Sequence, residues 1–596
     1  MSVLIADQPL VANKKIIRRD INTQLKLPNS LHPVLAKVLA ARSLSSAAEL
    51  EYTLDKLLPY QGLHQIDSAV ELLCQHLAKR SHILIVADFD ADGATSCAVA
   101  MRGLQAMGAT KVSYVVPNRF EFGYGLTPEI VTVAAQQQPD LIITVDNGIS
   151  SVEGVAAARA MAIDVLITDH HLPGQDLPNA NAIVNPNQAG DTFASKYLAG
   201  VGVMFYVLMA LRAKLKENAW FEAEKIAVPN LAQWLDLVAL GTVADVVPLD
   251  HNNRILVEQG LRRIRQGRCS AGINAMLQIA GRNQSRLSTS DLGFAVGPRL
   301  NAAGRLQDMK LGIECLLSDT MSQALTIAQQ LDDLNKERRE IESQMRDEAI
   351  AGLDDLAFDV STLHGVCVYR KDWHQGVVGL VAARVREHLH RPVIAFANSS
   401  ESELKGSARS IPGLHIRDAL DTVAARYPNL IDKFGGHAMA AGLSLASENY
   451  EEFTQRFNEV VEELLRDEDL QDCIHSDGEL NATELNLDFA EVLRGAGPWG
   501  QHFPEPLFDG IFEIVQKRIV GSKHLKMTLR MPGQLGVSTN SRSRPIEAIA
   551  FNTTDDDWPS DVQRVHIAYK LDINEYRGEC TPQLLVDHIQ PLTALV

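Results

Sequence analysis

Residues Ile83–Ala87 read ILIVA and run directly into Asp88–Ser96, DFDADGATS. An unbroken apolar run rich in β-branched residues is the pattern of a strand buried on both faces. Here it stops abruptly at an acid. The pattern recurs: Leu141–Val145 (LIITV) ends at Asp146, and Val165–Thr168 (VLIT) ends at Asp169. Stretches with helical spacing separate the runs, over Ala94–Met107, Pro128–Gln138 and Ser151–Met161. Buried strands alternating with helices predict an α/β unit with a parallel sheet covered on both faces. Ligands of such sheets bind beyond the carboxyl ends of the strands, so acids distant in sequence are expected on one rim.

The chemistry of those acids is specific. Asp88 and Asp90 share one side of an extended turn, and Asp169 opens the run DHH, adding His170 and His171. Asp245, in LGTVADVVPL, follows a further apolar run. Taken singly, an Asp after a strand is usually a helix N-cap or a turn residue. Taken together, crowded carboxylates repel one another and stay partly protonated unless a cation neutralises them. A mostly oxygen donor set with one imidazole suits Mn²⁺ or Mg²⁺ better than a thiolate-type zinc site. Asp88, Asp90, Asp146, His170 and Asp245 suffice for two divalent ions. That is the requirement of a two-metal phosphodiesterase, in which one ion activates water and both stabilise the in-line displacement.

Outward from this centre, the 596-residue chain has room for about four domains. Residues 1–80 read as a helical segment through HPVLAKVLAARSL and SAVELLCQHLAKR, and the first α/β domain is expected over 81–318. A connecting helix over 319–352 carries an apolar stripe at Leu325, Ala328, Leu331, Leu334, Ile341 and Met345. A second α/β domain over 353–465 has Val366–Tyr369 and Pro392–Ala397 as strands around the helix Val377–His388. From 466 to 596, alternating segments such as LKMTLRM and VHIAYKLDINEY predict a small β-barrel. The net charge of −18 excludes a basic coat protein for nucleic acid and a polybasic membrane binder. Seven scattered Cys without a CxxC pair argue against a disulfide scaffold or a cysteine zinc site. Neither a signal peptide nor a membrane span is evident, so a cytoplasmic protein is expected.

The motifs DFDADG, TVDNG, TDHH and GTVADVVPL resemble the four amino-terminal motifs of the DHH phosphoesterase superfamily. GPRLNAAGR, WHQGVVGLVAAR, KGSARS and FGGHAMAAG are similar to those of its RecJ branch, in order, over about residues 35–596. The resemblance implies a DHH domain, a DHHA1 domain and a C-terminal OB fold. It implies hydrolysis of single-stranded DNA from the 5′ end to mononucleotides, in recombination and repair. Metal ligation would fall to Asp88, Asp90, Asp146, His170 and Asp245, with His171 at the scissile phosphate. Arg119, Arg299, Asn301, Arg305, Ser407, Arg409, Gly436 and His437 would hold the DNA backbone and its 5′-terminal phosphate. Phe89 stands where many members have Tyr, which removes a hydroxyl but no ligand. A monomer is implied, with single-strand-binding protein and a RecQ-type helicase as partners.

A groove for a single strand needs cations and stacking surfaces. Residues 259–290 carry six basic residues and no acid. Residues 514–546 carry seven, among them Lys517, Arg518, Lys523, Lys526 and Arg530. The long helix is expected to set a passage between the α/β domains too narrow for duplex. Other functions compatible with the motifs are a pyrophosphatase, a phosphodiesterase of short oligonucleotides or cyclic dinucleotides, and a non-catalytic single-strand-binding scaffold. An unrelated phosphatase or receiver domain would leave DHH and FGGHAMAAG without a role.

Overall fold

The computed structural model describes residues 14–117, 125–354, 363–521, 524–532, 544–551, 553, 562–576 and 579–592. The first strand, β1 (Lys15–Arg18), finds its partner near the far end of the chain. Strands β2 (His82–Ala87), β3 (Lys111–Val115), β4 (Leu141–Val145), β5 (Asp164–Thr168) and β6 (Ala182–Val184) form one sheet. Their order is β3-β2-β4-β5-β6 and every pair is parallel. Every residue of β2 and β4 is buried because alternate side chains feed two separate cores. Ile83, Ile85 and Ala87 pack with the helices Ala91–Ala106 and Gly200–Glu217. Leu84 and Val86 pack with Pro128–Ala135 and Val152–Ala160. Burial on both faces explains why these strands read as continuous apolar runs.

The second sheet contains β7 (Val366–Tyr369), β8 (Val393–Asn398), β9 (Glu403–Arg409), β10 (Lys433–Gly436) and β11 (Ala440–Ala446), in the order β10-β11-β9-β8-β7. Only β7 and β8 are parallel. The glycine-rich stretch FGGHAMAAG is the β10–β11 hairpin, with His437 at its tip. The helix Met321–Asp354, 34 residues, joins the two units over about 51 Å. Its Ala324, Ala328, Leu331 and Leu334 belong to the first core, and Met345 and Ala349 to the second. One rigid element is therefore embedded in both domains.

Beyond β12 (Cys473–Ser476), the partner of β1, come β13 (Phe508–Val520), β14 (His524–Arg530), β15 (Ile546–Ala550), β16 (Arg564–Tyr576) and β17 (Glu579–Leu592). They close into a barrel ordered β13-β14-β15-β17-β16, with β15 and β17 parallel, which is the OB topology. One reading needs correction. Residues 1–80 are not purely helical: β1 precedes the helices Pro33–Ala40 and Ile66–Ala78, and Leu35, Val38 and Leu73 share the core of the first sheet. The apolar run before Asp245 is the helix Leu235–Ala244, buried on all sides from Leu235 to Thr242, so it shows no polar stripe.

Candidate functional site

The acids converge as the strand-end argument requires. Asp88 follows β2, and Asp90 caps the helix Ala91–Ala106, accepting the Gly93 N–H at 3.0 Å. Asp146 follows β4 with φ 63°, a left-handed conformation uncommon for Asp that turns the carboxylate inward. Asp245 closes the helix Leu235–Ala244. Donor atoms of Asp88, Asp90 and Asp146 lie within 4.8 Å of one another, as do those of Asp146, His170 and His171, and of Asp92, His170 and Asp245. Gly200 makes this approach possible: a Cβ there would sit 2.6 Å from the Asp146 Cβ. Its helix, Gly200–Glu217, is anchored by Asp92, whose carboxylate accepts the Gly200 and Val201 N–H groups at 2.6 and 3.0 Å.

The electrostatics call for a cation. Burial, and after it the neighbouring Asp90, pushes the Asp88 carboxyl well above its usual range. Burial and Asp92 do the same to Asp146 and Asp245, and Asp92 itself rises to about 7 through burial and Asp90. His170 goes the other way, to about 3, through burial and the adjacent His171. It is therefore neutral, and one ring nitrogen bonds the Leu198 backbone. Its Nε2 faces Asp146 at 3.1 Å and Asp245 at 3.5 Å. A lone pair aimed at carboxylate oxygens is unfavourable unless a proton or a cation lies between them, and bonding at the other nitrogen fixes the tautomer a metal ligand needs. The donor set fits divalent ions.

Asp169, the third strand-end acid, has a different task. It accepts the backbone N–H groups of Ile149, His170 and His171 and the His171 ring Nδ1 at 2.7 Å. Burial opposes the charge on His171, but Asp169 and the surrounding carboxylates outweigh it and raise the imidazole to about 9. The site thus presents a fixed cation beside its carboxylates. His437, at the tip of the β10–β11 hairpin, stacks on His171 at 6.4 Å with ring planes 17° apart. The hairpin depends on Gly436: its φ is 146°, and a Cβ would lie 2.4 Å from the Ala441 backbone.

Between the domains lies a cavity of about 590 Å³ lined by Asp90, Asn301, Arg305, Lys405, Ser407 and Arg409, among others. The Arg409 guanidinium donates to Ser407 Oγ at 3.1 Å, and both groups sit against Gly379 in the first turn of the helix Val378–Leu389. A helix N-terminus with an Arg and a hydroxyl is an anion site. Gln375 and Lys433 also line it; Gln375 and Lys405 fall within the motifs WHQGVVGLVAAR and KGSARS but are not among the substrate residues expected from them. Asn301 is partly committed, its amide oxygen accepting the Ala91 N–H at 2.8 Å, so it also holds the DFDADG turn.

Other sequence expectations change. Arg299 is buried, bonds Asp332 of the long helix at 2.7 Å and donates to the Ala295 carbonyl, so it ties helices together and does not line the cavity. Arg119 and Lys523 lie outside the described residues. Lys517, Arg518, Lys526 and Arg530 are on β13 and β14, with Lys526 paired to Glu547 at 3.2 Å. Sequence reasoning misses Asp92, although it is the third acid of DFDADG.

Comparison with known proteins agrees with this geometry. Family models match the DHH family, N-terminal domain, at residues 82–242, the DHHA1 domain at 360–463 and the RecJ OB domain at 476–588. A protein of Salmonella typhimurium, "Single-stranded-DNA-specific exonuclease RecJ", is 52% identical over 97% of this chain and 99% of its own length. The crystal structure of RecJ from Thermus thermophilus in complex with Mn²⁺ matches 95% of this chain and 77% of that one, with a TM-score of 0.76 and 26% identity. The Mg²⁺ complex from the same organism matches 95% and 75%, with a TM-score of 0.70 and 26% identity. Near-complete coverage by the relative, three consecutive family domains and a shared whole-chain fold lead to one conclusion: the chain belongs to the RecJ family.

Proposed function

We propose that this chain is a metal-dependent exonuclease specific for single-stranded DNA, working from the 5′ end in recombination and repair. The observation that carries this reading is the buried set Asp88, Asp90, Asp146, His170 and Asp245 beside a cationic cavity. In this reading those five residues hold two Mn²⁺ or Mg²⁺ ions. When bound, the ions would supply a deprotonated water and neutralise charge developing on the phosphodiester. The protonated His171, fixed by Asp169, binds a phosphate oxygen at the reacting centre. Ser407, Arg409 and the helix start at Val378 bind the 5′-terminal phosphate, with Arg305 lining the same cavity and donating to the Gly376 carbonyl at 3.3 Å. That anchor makes the enzyme count from a strand end. His437 and the Gly436 turn close the site from the second domain.

The barrel, through Lys517, Arg518, Lys526 and Arg530, guides the strand toward the cleft and favours long strands over dinucleotides. Single-strand-binding protein and a RecQ-type helicase as partners, a monomeric state and a cytoplasmic location belong to the same reading and rest on the family alone. Among the described residues no helix is long and apolar enough to cross a membrane. The test is a digest of 5′-labelled and 3′-labelled single strands with Mn²⁺ or Mg²⁺. Early release of the 5′ label alone is expected. Asp146→Ala should abolish release while leaving strand binding measurable; full activity in that variant refutes the reading.

A further inference from the structure

Two exposed apolar residues near the helix end that Asp245 closes take no part in the chemistry proposed for the metal-ligand cluster. Phe294 is 75% exposed, the highest value among the large hydrophobic residues described, and Val246 follows at 63%. Isolated exposed apolar residues are common on protein surfaces, so exposure alone decides nothing. Their backbone setting does. Val246 directly follows Asp245 and has φ 61°, a conformation that β-branched residues adopt only under constraint. Phe294 lies in a single π-helical turn, Leu292–Val296, a local form concentrated at functional sites. The same turn buries Leu292, Ala295 and Val296, so the backbone is anchored while Phe294 is turned out.

The two positions belong to one corner of the molecule. A methyl group on Gly293 would come within 3.4 Å of Val243, and one on Gly297 within 3.2 Å of Ala244. The π-turn therefore rests on the end of the helix that Asp245 closes. The following helix, Gly297–Leu306, runs from this corner to the cavity that Asn301 and Arg305 line. Phe294 precedes Asn301 by about 10 Å of helical rise. Phe294 and the phosphate-binding cavity thus lie toward opposite ends of that helix, with Asp245 on the Phe294 side.

Given the nuclease function proposed above, we infer that Phe294, presented by a π-turn resting on the helix that Asp245 closes, stacks a base of the retained strand, on the 3′ side of the bond being cut. Stacking requires no base identity, which suits a nuclease that must accept any sequence. It would hold the next phosphodiester in register while the cut nucleotide leaves from the other side.

The test uses the full-length protein with Mn²⁺ and a set of 5′-phosphorylated single strands, each carrying one abasic position near the 5′ end. In the wild type, one abasic position should raise KM about ten-fold. Phe294→Ala should raise KM about ten-fold on intact strands and lose sensitivity to that position, and Phe294→Trp should restore both. Because the side chain is exposed, neither substitution removes core packing. An active Phe294→Ala protein with the wild-type KM and abasic profile overturns this inference and leaves the nuclease reading intact. A wild-type protein inactive on every single strand overturns both.

Discussion

The barrel is tied to the first domain by an ion pair whose removal should be costly. The guanidinium of Arg42 meets the Asp477 carboxylate through two bonds of 2.7 and 2.8 Å and donates its Nε–H to the Pro504 carbonyl at 2.8 Å. The side chains are 0% and 1% exposed. Removing one member of a buried pair leaves the other charge desolvated and unmatched, at about 3–5 kcal/mol. Arg19 lies 3.7 Å from Asp477 and offsets part of this, so Arg42→Ala should destabilise the attachment by about 3 kcal/mol. That corresponds to about a hundred-fold increase in local opening. Native-state hydrogen exchange reads it directly: amides of β1 and β12 should exchange about a hundred-fold faster while those of β2 and β4 stay protected. Arg42→Met combined with Asp477→Asn removes both charges yet keeps an acceptor for the Leu507 N–H, and should recover most of the protection. Equal exchange in Arg42→Ala and the wild type, or no recovery in the double variant, refutes the reasoning.

Three further outcomes are expected. Gly200→Ala places a Cβ 2.6 Å from Asp146 and should lower the cleavage rate about a hundred-fold in a folded protein; circular dichroism with a single-turnover assay checks it, and activity within two-fold of wild type contradicts it. Although burial opposes it, bonds from His566, Arg18 and Ser476 hold the Asp509 carboxyl well below the usual range. Stability from Asp509 is therefore complete above about pH 4 and drains away as pH falls toward the lowered folded value; Asp509→Asn should flatten this acid limb in urea unfolding, and an unchanged limb rules the mechanism out. If the gap between the α/β domains admits one strand only, blunt duplex should resist digestion while 5′-tailed DNA is cut, and equal degradation of both would exclude steric selection.

The parts of the fold legible in the sequence are those where one residue pattern has one physical solution. ILIVA and LIITV, short, rich in β-branched residues and separated by helical stretches, read as buried strands, and both are interior strands with an acid at the carboxyl end. Asp245 is legible as a site residue but not as a helix end, because a helix buried all round and a buried strand look alike in composition. The strand β15 escapes detection: IEAIA carries only two β-branched residues and an acid, and its place is set by pairing with β14 and β17. Asp92 and Arg299 show the complementary limit. Their partners, the Gly200 N–H and Asp332, lie 108 and 33 positions away, and nothing local announces them.

The basic windows show the same limit acting on charge. Residues 259–290 are free of acid only because the count starts after Glu258 and stops before Asp291. In the folded chain Arg262 and Arg265 pair with Glu258, Arg282 with Asp291 and Arg286 with Glu575. The window over 514–546 likewise ends one residue before Glu547, the partner of Lys526. A linear count of charge measures what the chain carries; the field a DNA strand feels depends on what remains unneutralised after folding. By that measure four of the six cations of the first window are intramolecular ties. A cationic surface with a geometric claim on DNA is the interdomain cavity, where Arg305, Lys433 and the β9 residues Lys405 and Arg409 come from three separate segments of sequence. In the nuclease reading proposed above, an acidic protein handles a polyanion by assembling a few cations where the strand end would bind.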